Sequence, residues 1–350
     1  MQKVIFSFIA VLIFSIITIN AQVTEVLNVT GPWGITIKDN ILYVGSNTES
    51  IVYKKDLIDT SVDPETYVQG INGSSALTTI GDTLYIGERN GNRVSTYLLT
   101  EPGGNASSCQ GFEFPPVGLG SNDGVLYIAE REGNKITTVD MNLGCGSGFS
   151  TVVNEIDQAY GLTINGDILY GSDANGGLVF SYDLSDPNAE KETILDGLNT
   201  PAGLYAIDNT LYIAEFGGNR VAKISNIGPD QVVEYIQTGD GPLGLAADSI
   251  GNIYISEFSE NRVSVFSTIS NTDDFLDPQA LSIYPNPSND YITIDADVNT
   301  AINYRILTVD GAMVSDGTYV NGKQINIAEL PIGTYTLYLY NLGSLQFQKQ

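Results

Sequence analysis

Apolar and polar residues alternate in short runs along most of this chain, and Gly, Asn and Asp break the runs at close, regular intervals. The segment NTPAGLYAIDNTLYIAEFGGNRVAKISN, Asn199 to Asn226, shows the pattern plainly. Pro201 and Gly203 open the run LYAI, and Asp208 with Asn209 marks a tight turn. LYIAE is the second run; Gly217, Gly218 and Asn219 turn the chain again into the alternating RVAKIS. A period of two predicts strands, and short Gly/Asn/Asp connections predict hairpins, so the unit reads as an antiparallel three-strand meander.

The meander recurs. The tyrosine of its second strand appears as Tyr43, Tyr85, Tyr127, Tyr170, Tyr212 and Tyr254, every 42 or 43 residues. A period of roughly 40–45 residues with several strands per unit is that of a β-propeller blade, whereas helical repeats of such length need a 3.6-residue periodicity. The expected fold is therefore all-β, a six-bladed β-propeller. TVVNEI, ETILDG and QVVEYIQ precede the openings at Tyr160, Pro201 and Pro242, which gives each blade a fourth, outer strand. The last copy ends at Arg262 to Ser267 without one. Gln22 to Asn28 is expected to supply it, joining the two ends of the chain in one blade and closing the ring.

The flanks differ in character. Residues 1–21 place Lys3 before the apolar run VIFSFIAVLIFSIITI, and Ala21 stands before Gln22. A run of about 16 apolar residues is short for a membrane span, so this reads as a signal peptide rather than an uncleaved anchor, and the chain is not expected to be transmembrane. Residues 268–279 are polar and acidic, as in a linker. Residues 280–350 resume alternating strands and turns, the pattern of a small β-sandwich.

Composition then narrows the chemistry. With 15 basic against 41 acidic residues the formal net charge is −26, which excludes nucleic acid and anionic lipid as natural partners. The chain has no histidine, so Ser-His-Asp and Cys-His arrangements cannot be built, and zinc would lack its commonest neutral ligand. The two cysteines, Cys109 and Cys145, are expected to form a disulfide in an exported protein, free thiols being the alternative.

The openings Pro32-Trp33-Gly34, Ser74-Ser75-Ala76, Pro116-Val117-Gly118, Ala159-Tyr160-Gly161, Pro201-Ala202-Gly203 and Pro242-Leu243-Gly244 fall at related positions. Such an opening, then LYIAE, a Gly/Asn turn and NRV, resembles the NHL-type six-bladed propellers, close to the SMP-30/gluconolactonase-like superfamily. The resemblance covers residues 22–267 and bears on fold more than on activity. It implies that the middle residues of the openings, Trp33, Ser75, Val117, Tyr160, Ala202 and Leu243, ring one mouth of the central channel. That ring is the expected ligand-binding site, suited to an uncharged or aromatic ligand or a protein loop; side chains that merely plug the channel are the alternative.

Gluconolactonase-like relatives hold a divalent cation at this mouth, and their ligand positions correspond to Thr30, Tyr160 and Ala202. A hydroxyl, a phenol and a methyl do not replace carboxylate and amide ligands, since calcium needs about six to eight oxygens. No metal, cofactor or catalytic residue is therefore expected, and a lactonase-like hydrolase is the competing reading. Second-strand acids also stand five residues before third-strand cations: Glu88 and Arg93, Glu130 and Lys135, Glu215 and Arg220, Glu257 and Arg262. Repetition favours a structural pair over a charged ligand ring. Ser46 with Ile51 and Asp173 with Leu178 depart from it.

In the last segment, the sorting motif Tyr284-Pro285-Asn286-Pro287, the turn Asp310-Gly311, LPIGTY from Leu330 to Tyr335, and Lys349 near the end resemble the C-terminal sorting domain of the type IX secretion system of Bacteroidetes, type A. The family usually ends in a short basic-apolar strand, whereas here Gln350 follows Lys349. The resemblance implies export across the outer membrane by that machinery, removal of the domain, and a released or surface-attached propeller. A carbohydrate-binding or adhesion sandwich is the alternative. The combined reading is an exported binding module for a protein or small ligand.

Overall fold

The computed structural model describes residues 17–19, 23–57, 62–100, 107–110, 112–144, 148–248, 251–267, 282–295, 302–309, 313–320, 322–339 and 343–350. The predicted linker and most of the predicted signal peptide lie outside these residues. Among them no helix is long and apolar enough to cross a membrane.

Six sheets repeat one plan. Blade one runs outward through Pro32–Lys38, Ile41–Ser46, Ile51–Asp56 and Glu65–Gln69, and blade two through Ser74–Ile80, Thr83–Glu88, Arg93–Leu98 and Ser107–Gln110. Blade three comprises Pro116–Asn122, Val125–Glu130, Lys135–Asp140 and Ser150–Val153. Blade four comprises Ala159–Asn165, Ile168–Asp173, Leu178–Asp183 and Glu192–Leu195. Blade five comprises Pro201–Ile207, Thr210–Glu215, Arg220–Ser225 and Val232–Gln237. Blade six takes Pro242–Ala247, Ile253–Glu257 and Arg262–Phe266 from one end of the chain and Thr24–Asn28 from the other. The ring therefore closes by strand exchange, with Leu27 opposite Val263.

The repeated tyrosine is what joins blade to blade. Tyr43 packs with Leu77, Leu84 and Ile86 of blade two, and Tyr254 packs with Ile35, Leu42 and Val44 of blade one. Tyr85, Tyr127, Tyr170 and Tyr212 enter the following blade in the same way. Second strands are covered on both faces, so they bury nearly every residue instead of alternating. At the axis the inner strands nearly touch. A Cβ on Gly161 would meet the Ala202 carbonyl oxygen at 2.1 Å, and one on Gly203 the Leu243 carbonyl oxygen at 2.1 Å, so the opening glycines are required by close approach.

One strand was not expected. Ile17–Ile19, inside the predicted signal peptide, pairs parallel with Glu234–Ile236 on the outer edge of blade five.

The last segment forms two sheets. Ser282–Tyr284, Tyr291–Asp295 and Ile325–Asn326 make one; Met313–Tyr319, Ile302–Thr308, Gly333–Leu339 and Gly343–Lys349 make the other. Ile292, Ile294, Ile306, Leu337, Leu339 and Phe347 fill the space between them, as a sandwich requires.

Candidate functional site

The mouth of interest is the end where inner strands begin and second strands finish. All six residues expected there come together around the axis and are buried: Trp33 is 7% exposed, Tyr160 7% and Ala202 0%. Trp33 and Tyr160, from opposite blades, stack with ring centroids 6.0 Å apart and planes 9° from parallel. Leu243, Ala202 and Ala174 complete this apolar cluster, with Phe216 and Phe258 against it. Ser75 is occupied elsewhere: its hydroxyl donates to the carbonyls of Gly87 (3.0 Å) and Pro116 (2.6 Å), tying blade two to blade three. Ser172 and Ser256 bridge in the same manner to the carbonyls of Ala202 and Trp33. Below the stacked rings the channel keeps a cavity of only about 60 Å³, lined by Val117, Leu119, Leu162 and Leu245 among others. A ligand pocket is usually ~300 Å³ or more, so the stacked pair acts as a floor with no room for an ordinary ligand beneath it.

Above that floor lies a second ring that the sequence reading passed over. The residue after the end of each second strand falls at this end of its blade, and the six are Asn47, Arg89, Arg131, Ala174, Phe216 and Phe258. The guanidinium carbon of Arg89 lies 5.4 Å from the Trp33 ring centroid, and that of Arg131 lies 5.2 Å from the Tyr160 ring centroid. Both are cation–π distances. Phe258 meets Trp33 edge to face at 5.8 Å. Blades two and three stand opposite blades five and six, so the mouth has a cationic half and an aromatic half. Arg89 and Arg131 thus add two cations to a mouth whose six expected residues are all uncharged. One signal could have found the ring: it is the repeat position one residue past the second strand.

The electrostatics are uneven. Arg89 approaches Glu132 at 3.8 Å, with both side chains about a third or more exposed. Arg131 donates through Nε (2.9 Å) and Nη2 (2.6 Å) to Oε1 of Gln158, a neutral amide, and forms no ion pair among the described residues. Burial pushes the Tyr160 phenol well above its ordinary range, opposed by Arg131 and Arg89 and reinforced by Glu132. Tyr160 is therefore a neutral hydroxyl, not a phenolate.

The buried acids of the second strands serve structure. Glu215, fully buried, takes Arg220 Nε at 2.6 Å and Nη2 at 3.1 Å, and its Oε2 accepts the Asn199 N–H at 2.9 Å. Glu88 holds Arg93 at 2.8 Å and the Asn72 N–H at 2.8 Å. Glu257 pairs with Arg262 and the Gly239 N–H. Asp173 does without a cation and accepts the N–H groups of Asp157 and Gly176. Each acid pins the loop that enters its own blade. Among the described residues no group of three or more Asp, Glu or Cys is placed to hold a metal. Thr30, Tyr160 and Ala202 contribute no carboxylate at the mouth, so this donor set does not fit a hard cation.

Cys109 is buried and disulfide-bonded; Cys145 lies outside the described residues. Of the sorting motif, Asn286 clamps the final strand: its Nδ2 donates to the Gln346 carbonyl (3.1 Å), and its Oδ1 accepts the Gln348 N–H (2.9 Å). The Ser288 N–H donates to the Gln348 carbonyl at 2.8 Å, continuing the same seam. Tyr284 is exposed, and Asp310-Gly311 lies outside the described residues.

Among known proteins, residues 282–350 match the family described as the secretion system C-terminal sorting domain. No curated protein matches the chain in sequence. In structure the chain is similar to a luciferin-regenerating enzyme (TM-score 0.59, 12% identity, covering 71% of this chain and 96% of that one). It is similar also to a streptogramin B lyase (TM-score 0.53, 12% identity, 70% of this chain and 97% of that one). Virginiamycin B lyase from Staphylococcus aureus aligns with TM-score 0.51 and 14% identity over 94% of this chain and 99% of that one. At such identity these likenesses establish the propeller fold alone. The chain is thus a six-bladed β-propeller carrying a type IX secretion sorting domain, the address of a secreted or cell-surface protein.

Proposed function

We propose that the propeller is an exported binding module whose mouth takes a ligand joining an anionic group to a flat apolar or aromatic part. The observation that carries this reading is the divided ring: Arg89 and Arg131 on one side, Phe216 and Phe258 on the other, over the Trp33–Tyr160 floor. Guanidinium groups recognise carboxylate and phosphate through paired hydrogen bonds, and the aromatic half offers a ring-stacking surface. Binding is favoured over catalysis because these groups move protons poorly near neutral pH. Guanidinium stays protonated, the Tyr160 phenol is held neutral by burial, and the rest are amide, methyl and phenyl.

The only tryptophan in the chain is the floor itself, so its emission reports on the mouth. Titration of the protein with phenylacetate and phenyl phosphate is expected to change Trp33 fluorescence saturably, and uncharged phenylacetamide is expected to bind at least about tenfold more weakly. Arg89→Ala with Arg131→Ala is expected to abolish the response. An equal response to the neutral analogue, or an unchanged one in the double variant, defeats the proposal.

A further inference from the structure

Blade three breaks the pattern of buried acids, because its acid is only partly matched by the cation of its own third strand. In blades two, five and six an arginine from the third strand pairs with the carboxylate. In blade three that position is Lys135, whose Nζ comes only to 3.8 Å from Oε1 of Glu130. Thr137 donates to the same Oε1. Oε2 of Glu130 has no hydrogen-bond partner among the described residues, although Glu130 is 2% exposed. An ionised oxygen that is buried and unpaired is costly to leave so, and it marks a place where something polar belongs.

Space is present beside it. A cavity of about 200 Å³ is lined by Glu130, Lys135, Thr137, Glu113, Phe112 and Phe149, with two further hydroxyl residues at its rim. Phe112 and Phe149 stand at 84° to each other with centroids 5.3 Å apart, two walls meeting at a corner. The lining holds two carboxylates and one ammonium, an excess of one negative charge. The volume falls below the ~300 Å³ typical of whole small-molecule ligands, so it suits a single side-chain-sized group. The charge calls for a monocation, the aromatic corner favours one with a flat or weakly hydrated face, and the precedent is internal: blades two, five and six fill this position with guanidinium.

We propose that blade three carries a binding pocket for a guanidinium group, supplied from outside the chain, that pairs with Glu130 and lies in the corner formed by Phe112 and Phe149. The cation does in trans what Arg93, Arg220 and Arg262 do in cis. Lys135 does not substitute: its Nζ stays 3.8 Å from Oε1 and leaves Oε2 unpaired, whereas the Arg220 fork reaches both oxygens of Glu215. The site is separate from the mouth, so its failure leaves the reading of the mouth untouched.

The test is calorimetric titration of the full-length protein with N-acetyl-arginine methylamide, N-acetyl-lysine methylamide and methylguanidinium. One-to-one binding of the arginine compound is expected, with the lysine compound at least about tenfold weaker. Methylguanidinium as tight as the arginine compound assigns the site to a free small cation; tighter binding of the arginine compound assigns it to a protein side chain. Lys135→Arg supplies the fork within the chain and is expected to fold, to melt higher than wild type and to lose binding at least about tenfold. Glu130→Gln is expected to lose it also. Absence of binding, equal binding of the lysine compound, or unchanged binding by Lys135→Arg overturns the proposal.

Discussion

Leu27 lies directly opposite Val263, so the first strand of the propeller is hydrogen-bonded to the last. Both side chains are buried in one cluster with Ile35, Val44 and Tyr254, which joins blade six to blade one. The seam continues through the loops, where the Val29 N–H donates to the Asn261 carbonyl (3.0 Å) and the Gly31 N–H to Asn261 Oδ1 (2.9 Å).

Removing residues 22–28 should therefore open the ring and expose backbone groups along Arg262–Phe266, while removing residues 282–350 leaves the six sheets intact. The milder Leu27→Ala is expected to cost about 2–5 kcal/mol, the range for a buried leucine. Thermal melts of the two truncations decide the matter: equal melting temperatures would remove strand exchange as the source of closure.

Glu215 offers a second test. Its removal takes a fully buried acceptor from the Asn199 N–H and from the Arg220 guanidinium, itself about 30% exposed. Glu215→Ala is expected to lose about 1–3 kcal/mol in urea unfolding, the cost of a lost acceptor in a half-buried charged pair. Replacing Glu215 and Arg220 together by leucine should recover much of that loss, because no lone charge then remains. A single variant within about 1 kcal/mol of wild type would show that the acid does not hold the loop.

These features were unequally legible in the sequence. The tyrosine period gave the blade count because each ring fills the gap to the next blade, a demand that recurs every blade. The five-residue spacing of acid and cation was readable because a hairpin sets Glu215 opposite Arg220. The Trp33–Tyr160 stack was not, since it joins residues of opposite blades and no local spacing encodes it. The cavity at Glu130 was hidden for another reason: Lys135 in place of arginine looks conservative in sequence, yet it is not where a two-pronged donor is needed. Ile17–Ile19 on blade five had no repeat signal to reveal it.

Alkaline pH should expose the role of the repeated tyrosines. Burial is the first cause raising the phenols of Tyr43, Tyr85, Tyr127, Tyr170, Tyr212 and Tyr254, and Tyr43, near Tyr67 and Asp39, is pushed up from 10.0 to about 12. The unfolded chain loses these protons first. The stability they contribute is thus complete below the unfolded value of 10.0 and is lost as pH rises toward about 12. Melting followed by circular dichroism is expected to fall steeply across that window, and Tyr43→Phe, which cannot ionise, to flatten the fall. A melting temperature that is level from about pH 9 to about pH 11.5 would contradict the assignment.

Export turns on the last segment, and its geometry says which part to disturb. Asn286 is bonded at both ends of its amide to the backbone of the final strand, and the Gln350 N–H donates to the Ser288 carbonyl at 2.9 Å. The motif thus stitches the start of the sorting domain to its end. Deleting residues 282–350 is expected to stop delivery to the cell surface while leaving a folded propeller inside the envelope. Asn286→Ala removes two exposed hydrogen bonds, so it should loosen the domain by about 1–2 kcal/mol and reduce delivery without abolishing it. In the wild type, mass spectrometry of surface material is expected to find chains that begin at Gln22 and lack the sorting domain. Tailless protein reaching the surface in wild-type amounts would show that residues 282–350 are not the address, and surface chains that retain them would show that delivery proceeds without their removal.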